Sequence, residues 1–312
     1  MTDSGLITVS ALWAVVAGAI LCSLAVFAVA LDSGLTARAQ GARGGGPTLL
    51  NRFARLLRQR RRTTVAADTM LWRVGGIGMF VGAFFMVAVI PLGRWTLADL
   101  DVGVVWLNTI DVVVWALVWL TGWGANSTHS LIGGYRFLAH GLAYELPLMF
   151  ALVAPAIAAG SLNVGAVAAA QDDDLWFVVC MPVAFLIYLI GVMGFSVWGP
   201  FAAAVATDIT GGVGTELSAV DRLVFHAGRY LFLAAGAAFS VPLFLGGGAG
   251  PWLPDWTWVL IKTLAVLAVL VWSRRKIPLM RPDRFMTIGW TLLLPAIVVQ
   301  DLVVSVLVVW KG

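Results

Sequence analysis

Five ionisable side chains, Asp111, Glu145, Arg229, Lys262 and Asp301, fall inside otherwise apolar runs of the sequence. A charge in hydrocarbon is costly, so each is a candidate for function. Glu145 follows Tyr144 and lies just before Pro147, at the expected start of a helix. Pro147 then takes the third helical position, where its missing N–H breaks nothing. Arg136 is near enough in sequence to fold back onto Glu145. Two readings of Glu145 follow. One is a structural ion pair with Arg136. The preferred one is a proton-relay carboxylate, because a carboxyl in a partly dry site can exchange protons. Glu216, the other glutamate, shares the loop 198–221 with Asp208 and Asp221. Such a loop beside a membrane docks a partner or covers a cavity, and the plainer reading of Glu216 is a solvated carboxylate. Arg229 does not deprotonate. It needs a carboxylate or a lipid headgroup, and Asp221 is the expected partner. Lys262 is expected to snorkel or to pair with a carboxylate.

The chemistry of soluble enzymes is missing. The sequence holds no GxxxxGK[ST], no HExxH and no CxxC, and His129, His140 and His226 lack metal-ligand spacing. No haem pair or iron–sulfur motif is visible, so no bound redox cofactor is expected and any electrons pass through a partner. Cys22 and Cys180 lie in apolar runs and are read as small core residues. Gly78 and Gly82 form a GxxxG, read as a helix-packing face.

The elements that must hold these residues follow from composition. The chain is 61% hydrophobic and 12% charged, whereas a soluble domain carries about 25% charged residues. The expected class is an all-α membrane protein forming one polytopic domain over 1–312. A bilayer core takes about 20 apolar residues per helix, and its backbone polar groups must pair internally. Eight spans are predicted, at 6–31, 74–93, 102–122, 141–160, 175–197, 222–245, 254–273 and 286–309. The first is too long for a signal h-region and is read as retained.

Orientation follows the lysines and arginines. The loop 32–73 carries Arg38, Arg43, Arg52, Arg55, Arg58, Arg60, Arg61 and Arg62, and the loop after the seventh span carries Arg274, Arg275, Lys276, Arg281 and Arg284. The loops 123–140 and 198–221 share that side, which is taken as cytoplasmic. Arg94, Lys311, Asp172, Asp173 and Asp174 lie opposite. Both termini then face outward, in a bacterial inner membrane. The pI of about 9.4 thus reports topology, and no nucleic-acid partner is expected. Within the first loop, Leu49, Leu50, Phe53, Leu56 and Leu57 recur at helical spacing, with Arg52, Arg55 and Arg58 opposite. Such a helix lies in the headgroup plane, either as a lipid-surface anchor or as the wall of a lipid-side portal.

Several segments resemble the H-type membrane subunits of NADH-quinone oxidoreductase, respiratory complex I. Gly122 to Ser127, followed by Leu131 to Arg136, resembles that family's GW-x-SNS…LLGG-x-R segment. Ala143 to Pro147 resembles its SYE-x-P segment. Trp272 to Pro278, with Arg281, Asp283, Met286, Gly289, Trp290, Leu294 and Pro295, resembles its carboxy-terminal signature. Val89 to Gly93 resembles its second-span ending, and Gln40, Arg43 and Pro47 match its first loop more loosely. The match runs in order along almost the whole chain.

The resemblance implies a membrane subunit that joins a quinone-reducing peripheral arm to an antiporter-like membrane arm and lines the quinone access tunnel. It also implies a subunit that begins a chain of buried carboxylates. Its substrate would be quinone, and its partners the other subunits and membrane lipid. The proton-transfer candidates are Glu145, Asp208, Glu216 and Asp111. The tunnel candidates are Gln40, Arg43, Phe53, Leu56, Arg136 and Arg229. The chain departs from the family in two places. The family's acid-rich loop, PFD-x-PEAE-x-EL…TEYS, is here one residue shorter and keeps only Asp208 and Glu216 among its acids. Its AEY segment appears as Gly228, Arg229 and Tyr230, a cation in place of a carboxylate. Asp208 and Asp111 are candidates to replace the missing acids. These departures motivate an alternative, the equivalent subunit of a complex-I-like hydrogenase without ordinary quinone coupling. A stand-alone secondary transporter is a further alternative, although no internal repeat is visible.

Overall fold

The structure is a computed structural model that describes residues 6–39, 41, 46–172, 175–208 and 210–311. Gln40, Arg43, Asp173 and Asp174 lie outside the described residues, as do the side chains of Leu49 and Arg52. Among the described residues, eight helices are long and apolar enough to cross a membrane. In chain order the helices are α1 (Trp13–Ala39), α2 (Gly46–Arg58), α3 (Thr69–Val87), α4 (Gly103–Gly124), α5 (Thr128–Ala159) and α6 (Val164–Ala169). They continue with α7 (Phe177–Cys180), α8 (Pro182–Phe195), α9 (Ala219–Phe244), α10 (Asp255–Ser273), α11 (Pro282–Ile288) and α12 (Leu294–Lys311). A 3-10 turn, Gly199–Val205, prolongs α8, and a π-helical turn, Gly289–Leu293, joins α11 to α12.

The all-helical membrane fold is as expected, and the span boundaries move. The first span begins at Trp13, because Ile7–Thr8 instead pairs as a parallel strand with Trp95–Thr96. The fourth span begins at Thr128. The expected loop 123–140 is therefore only the turn 125–127. Glu145 stands near the middle of a 32-residue helix, and Pro147 is interior to it. Spanning helices tolerate such a proline when neighbouring helices satisfy the freed backbone groups. Likewise the loop 198–221 is partly helical, with α9 starting at Ala219.

Packing follows side-chain size. Helix α9 is buried on nearly every side from Leu231 to Phe244, as an all-round apolar helix at the centre of a bundle must be. It packs against α1, α3, α8 and α10. The Gly78/Gly82 face is a packing face as expected. A Cβ on Gly78 would lie 2.3 Å from Leu117 of α4, and one on Gly82 would lie 3.0 Å from Phe232 of α9. Cys22 is half-buried, but Cys180 is exposed and is no core residue.

Two sets of long-range polar contacts stand at opposite ends of the bundle. At the end away from the first loop, Asn163 caps α6 and donates to Asp99 at 2.5 Å. There the buried amide of Gln171 donates to Val167, Pro242 and Leu243 carbonyls and accepts from Phe177 and Gly246 N–H groups. Lys262 of α10 donates to the Leu245, Gly247 and Ala249 carbonyls at 2.6–3.0 Å and lies 4.1 Å over the Trp176 ring. Lys262 thus reaches to the end of the bundle, where carbonyls are its direct partners and the Asp172 carboxylate is close enough to act on its charge. At the first-loop end, Arg61 grips Asp221 with two bonds of 2.5 and 2.6 Å, and Asn126 donates to Val65.

The segment 206–217 lies against α5 at Gly133, where the two backbones nearly touch. A Cβ on Gly133 would fall 2.2 Å from Val213 N and 2.5 Å from Gly212 C. Gly133→Ala is therefore expected to lift this segment and cost about 1–3 kcal/mol, the range for overpacking. Gly76→Ala, whose Cβ would meet nothing within 4 Å, is expected to be neutral or mildly stabilising. Thermal unfolding in detergent, with limited proteolysis at 206–217, checks both.

Candidate functional site

Helix α4 carries Asp111 and α5 carries Glu145, and the packing of α4 on α5 brings the two carboxyls together. Asp111 is fully buried, and Tyr144 donates its hydroxyl to Asp111 Oδ1 at 3.3 Å. The other oxygen of Asp111 and both oxygens of Glu145 are shielded from solvent and make no direct hydrogen bond among the described residues. Asp111 and Asn108 are the polar neighbours of Glu145. Trp115 closes the site edge-on to Tyr144, with ring centroids 6.4 Å apart. Toward the first-loop end, an aromatic stack of Tyr144, Phe201, Phe285 and His140 follows, with centroids 4.7–6.2 Å apart. The ring of His140 reaches the Met280 carbonyl at 3.2 Å.

Arg136 does not pair with Glu145. Its guanidinium donates to the Ala203, Thr210 and Gly211 carbonyls at 2.7–3.0 Å and so fastens the 3-10 turn and the following segment to α5. The structural ion pair considered for Glu145 is thereby replaced by an acid–acid pair with no cation in hydrogen-bonding reach among the described residues. Glu216 is half-buried and accepts from Ser127 Oγ at 2.7 Å. Asp208 is exposed and accepts from Thr210 Oγ1 at 2.6 Å. Neither joins the Asp111–Glu145 pair. Asp301, buried on α12 with both oxygens lacking a direct partner, stands apart from it as well.

A cavity of about 740 Å³ opens at the first-loop end, between the 3-10 turn, the start of α9 and the segment 274–279. Arg229 lines it. Asp221 is not its partner, because Asp221 is taken by Arg61. Instead Arg229 donates to the Ser196 and Val197 carbonyls and contacts His226 Nδ1 at 3.2 Å. Asp32, near the C-terminal end of α1, is a buried anchor at the cavity that composition and spacing do not single out. It receives Arg274 at 2.8 Å, Arg275 at 3.3 Å and the Tyr230 hydroxyl at 3.2 Å, tying α1, α9 and the 274–279 segment together. An acid at the end of one apolar run and paired arginines at the end of another are the available signal. Helix α2 forms as expected and packs against α9 and α1. Leu50, Phe53 and Leu57 remain exposed, while Leu56 is half-buried. Phe53 and Leu56 thus share a helix bordering α9, and Arg229 lies on α9 itself.

Together these features define a class, a multi-pass helical membrane protein with a carboxyl pair inside its bundle and a basic cavity at one end. Sequence comparison narrows it further. A family profile described as NADH dehydrogenase matches residues 11–305. The chain is 33% identical to the H subunit of NADH-quinone oxidoreductase from Geobacillus kaustophilus over 251 residues, covering 78% of this chain and 75% of the relative. It is 34% identical to the first of the numbered H subunits from Geobacter metallireducens over 248 residues, covering 76% and 75%. It is 34% identical to the second of those from Cereibacter sphaeroides over 234 residues, covering 74% and 73%. The chain belongs to the family of H subunits of NADH-quinone oxidoreductase, the membrane components of an enzyme complex. The resemblance carried by the Gly122–Arg136, Ala143–Pro147 and Trp272–Pro295 segments is thus borne out.

Proposed function

We propose that this chain is the membrane subunit that links the peripheral redox arm of a proton-translocating NADH-quinone oxidoreductase to its membrane arm. It works in a bacterial plasma membrane, with the basic-loop end in the cytoplasm. It lines the route by which quinone enters from the bilayer and carries protons on buried carboxyls. The observation that supports the proton role is the Asp111–Glu145 pair, held beside the Tyr144 hydroxyl with no cation among the described residues in hydrogen-bonding reach of either carboxyl. A carboxyl tied to an arginine is a structural group, whereas a buried carboxyl pair can hold a proton and hand it on. Asp208 and Glu216, at the cytoplasmic end, load the pathway from water. Quinone is a substrate that passes along the chain, with Phe53 and Leu56 at the lipid side and Arg136 and Arg229 toward the cytoplasm.

Copurification tests the assembly. The tagged chain extracted from its own membranes should bring down peripheral subunits bearing redox centres. Isolation as a free protein, with NADH:quinone activity intact elsewhere in the membrane, would contradict it. The portal role has its own test. Phe53→Ala with Leu56→Ala should raise the KM for a long-tailed quinone several-fold and leave that for a short-tailed, water-soluble quinone within about twofold, since only the former must cross an apolar threshold to which each partly exposed side chain adds roughly 0.5 kcal/mol, a fraction of the value for full burial. Equal KM values for both quinones in wild type and variant would retire the portal.

A further inference from the structure

Asp301 is a buried acid to which neither the fold nor the proposed function gives a task. It is 8% exposed, and neither of its oxygens has a direct partner among the described residues. It falls on one stripe of α12 with the buried Leu293, Ile297 and Val304, while Leu302, Val303 and Val306 on the other side are exposed. The spanning helices packed on α12 are α5 and α8. Beyond Glu145, α5 carries no titratable side chain, and α8 carries Tyr188 alone. The π-helical turn adds none, α7 adds Cys180, and α12 itself adds Lys311 at its end. No cation therefore shares the site, and a lone charge there is costly.

A break in the fold lies beside it. Helix α7 ends at Cys180, and α8 begins at Pro182. The first turn of α8 is inside the protein, with Ala184 fully buried and no side chain capping the helix from Met181. Gln300, the residue before Asp301, accepts from the Ala184 N–H at 3.0 Å. The free N–H groups of a helix N-terminus favour negative charge. Interrupted helices are where membrane transporters place their ion sites. Apolar walls suit the carboxyl with its proton, and a helix terminus suits it without. A group tolerated in both forms can exchange.

Depth relates Asp301 to the carboxyl pair. A Cβ on Gly289 would lie 2.6 Å from the Ala143 carbonyl oxygen, so these residues are level, and α5 and α12 both run away from the first-loop end. Counting from that level at about 1.5 Å per residue, Asp301 lies roughly 15 Å beyond Glu145. Tyr188 stands one helical turn from Ala184 on the side of the pair. Its hydroxyl donates to the Gly236 carbonyl at 2.7 Å, and it is near enough to Asp111 to feel its charge.

We propose that Asp301 is a proton-exchanging carboxyl in the far half of the bundle, standing between the Asp111–Glu145 pair and water at the end away from the first loop. It releases a proton to that water and regains one from the side of the pair, with the Tyr188 hydroxyl on the way. The assignment rests on the proton role of the pair, and its test separates the two.

The test uses the whole oxidoreductase, held in a surface-tethered bilayer with its redox arm toward the surface. Infrared difference spectra are recorded across a pH step on the opposite side. Wild type should show a carboxyl band that responds to the step, is lost in Asp301→Asn and returns at a shifted frequency in Asp301→Glu. In liposomes oxidising NADH, Asp301→Asn should reduce quinone normally while proton transport falls about tenfold or more, and Asp301→Glu should restore most of it. Thermal unfolding of Asp301→Asn should match or exceed wild type, because an amide costs less to bury than a charge. Normal transport in Glu145→Gln, with the Asp301 band still responding, would retire the pair and uphold exchange at Asp301. Blocked transport in Glu145→Gln, with normal transport and an unchanged carboxyl spectrum in Asp301→Asn, would overturn the proposal and spare the pair.

Discussion

Glu145→Gln is expected to leave the oxidoreductase assembled and reducing quinone, while proton transport falls about tenfold or more, the low end of what a positioned proton-transfer group contributes. The amide keeps the shape of the carboxyl and removes the proton that could be exchanged. It also costs less to bury than a charge, so the bundle should be as stable as wild type. Asp111→Asn should act in the same direction, since Asp111 and Glu145 are neighbours and Asp111 is fully buried. Tyr144→Phe removes one hydroxyl contact to Asp111 and should have a smaller effect. Glu216→Gln should change transport less than about twofold, because Glu216 is only half-buried and water can substitute for it at the mouth of the pathway. Proton uptake by membrane vesicles during NADH oxidation, measured beside quinone reduction, separates these cases. Normal transport in Glu145→Gln would end the relay role.

The second large effect is structural. Asp32→Ala should cost about 3 kcal/mol, the low end for breaking a buried ion pair, because the Arg274 side chain is 43% exposed. That corresponds to roughly 5–8 °C in unfolding temperature. Two guanidiniums and the Tyr230 hydroxyl lose their shared acceptor at once, and three separate parts of the bundle lose a common anchor. Asp32→Asn, which keeps an acceptor oxygen, should lose less. Asp221→Ala frees a single guanidinium, that of Arg61, from an acid more exposed than Asp32 and should cost about 1 kcal/mol or less. Thermal unfolding of the detergent-solubilised assembly gives the ranking, and an Asp32→Ala variant as stable as Asp221→Ala would refute the anchor.

The number of spans and the amphipathic α2 are legible in the sequence, because contact with hydrocarbon leaves an average composition that needs no knowledge of packing. Boundaries are not. Residues 128–140 include His129, Ser130, Tyr135, Arg136 and His140, which lower hydropathy without breaking a helix. In the fold Ser130 and His140 are buried against protein rather than lipid. The ionic partners escape a sequence reading for a related reason. Arg136, Arg229 and Lys262 each have a carboxylate nearby in sequence or a reason to seek one, yet all three are held by backbone carbonyls at the ends of helices and turns. Those acceptors exist at every residue and leave no mark in composition. The Asp111–Glu145 pair falls between the two cases. Both residues stand out as charges in apolar runs, but only the packing of α4 on α5 makes them neighbours.

The proton role proposed for Glu145 requires that it exchange its proton while quinone is being reduced. Infrared difference spectroscopy of the intact oxidoreductase, comparing oxidised and quinol-reduced states in H₂O and D₂O, observes that proton on its own carboxyl. The expected result is a protonated-carboxyl band that changes on reduction, shifts in D₂O and disappears in Glu145→Gln. A spectrum identical in Glu145→Gln, or a carboxyl band that never exchanges with D₂O during turnover, would contradict the account.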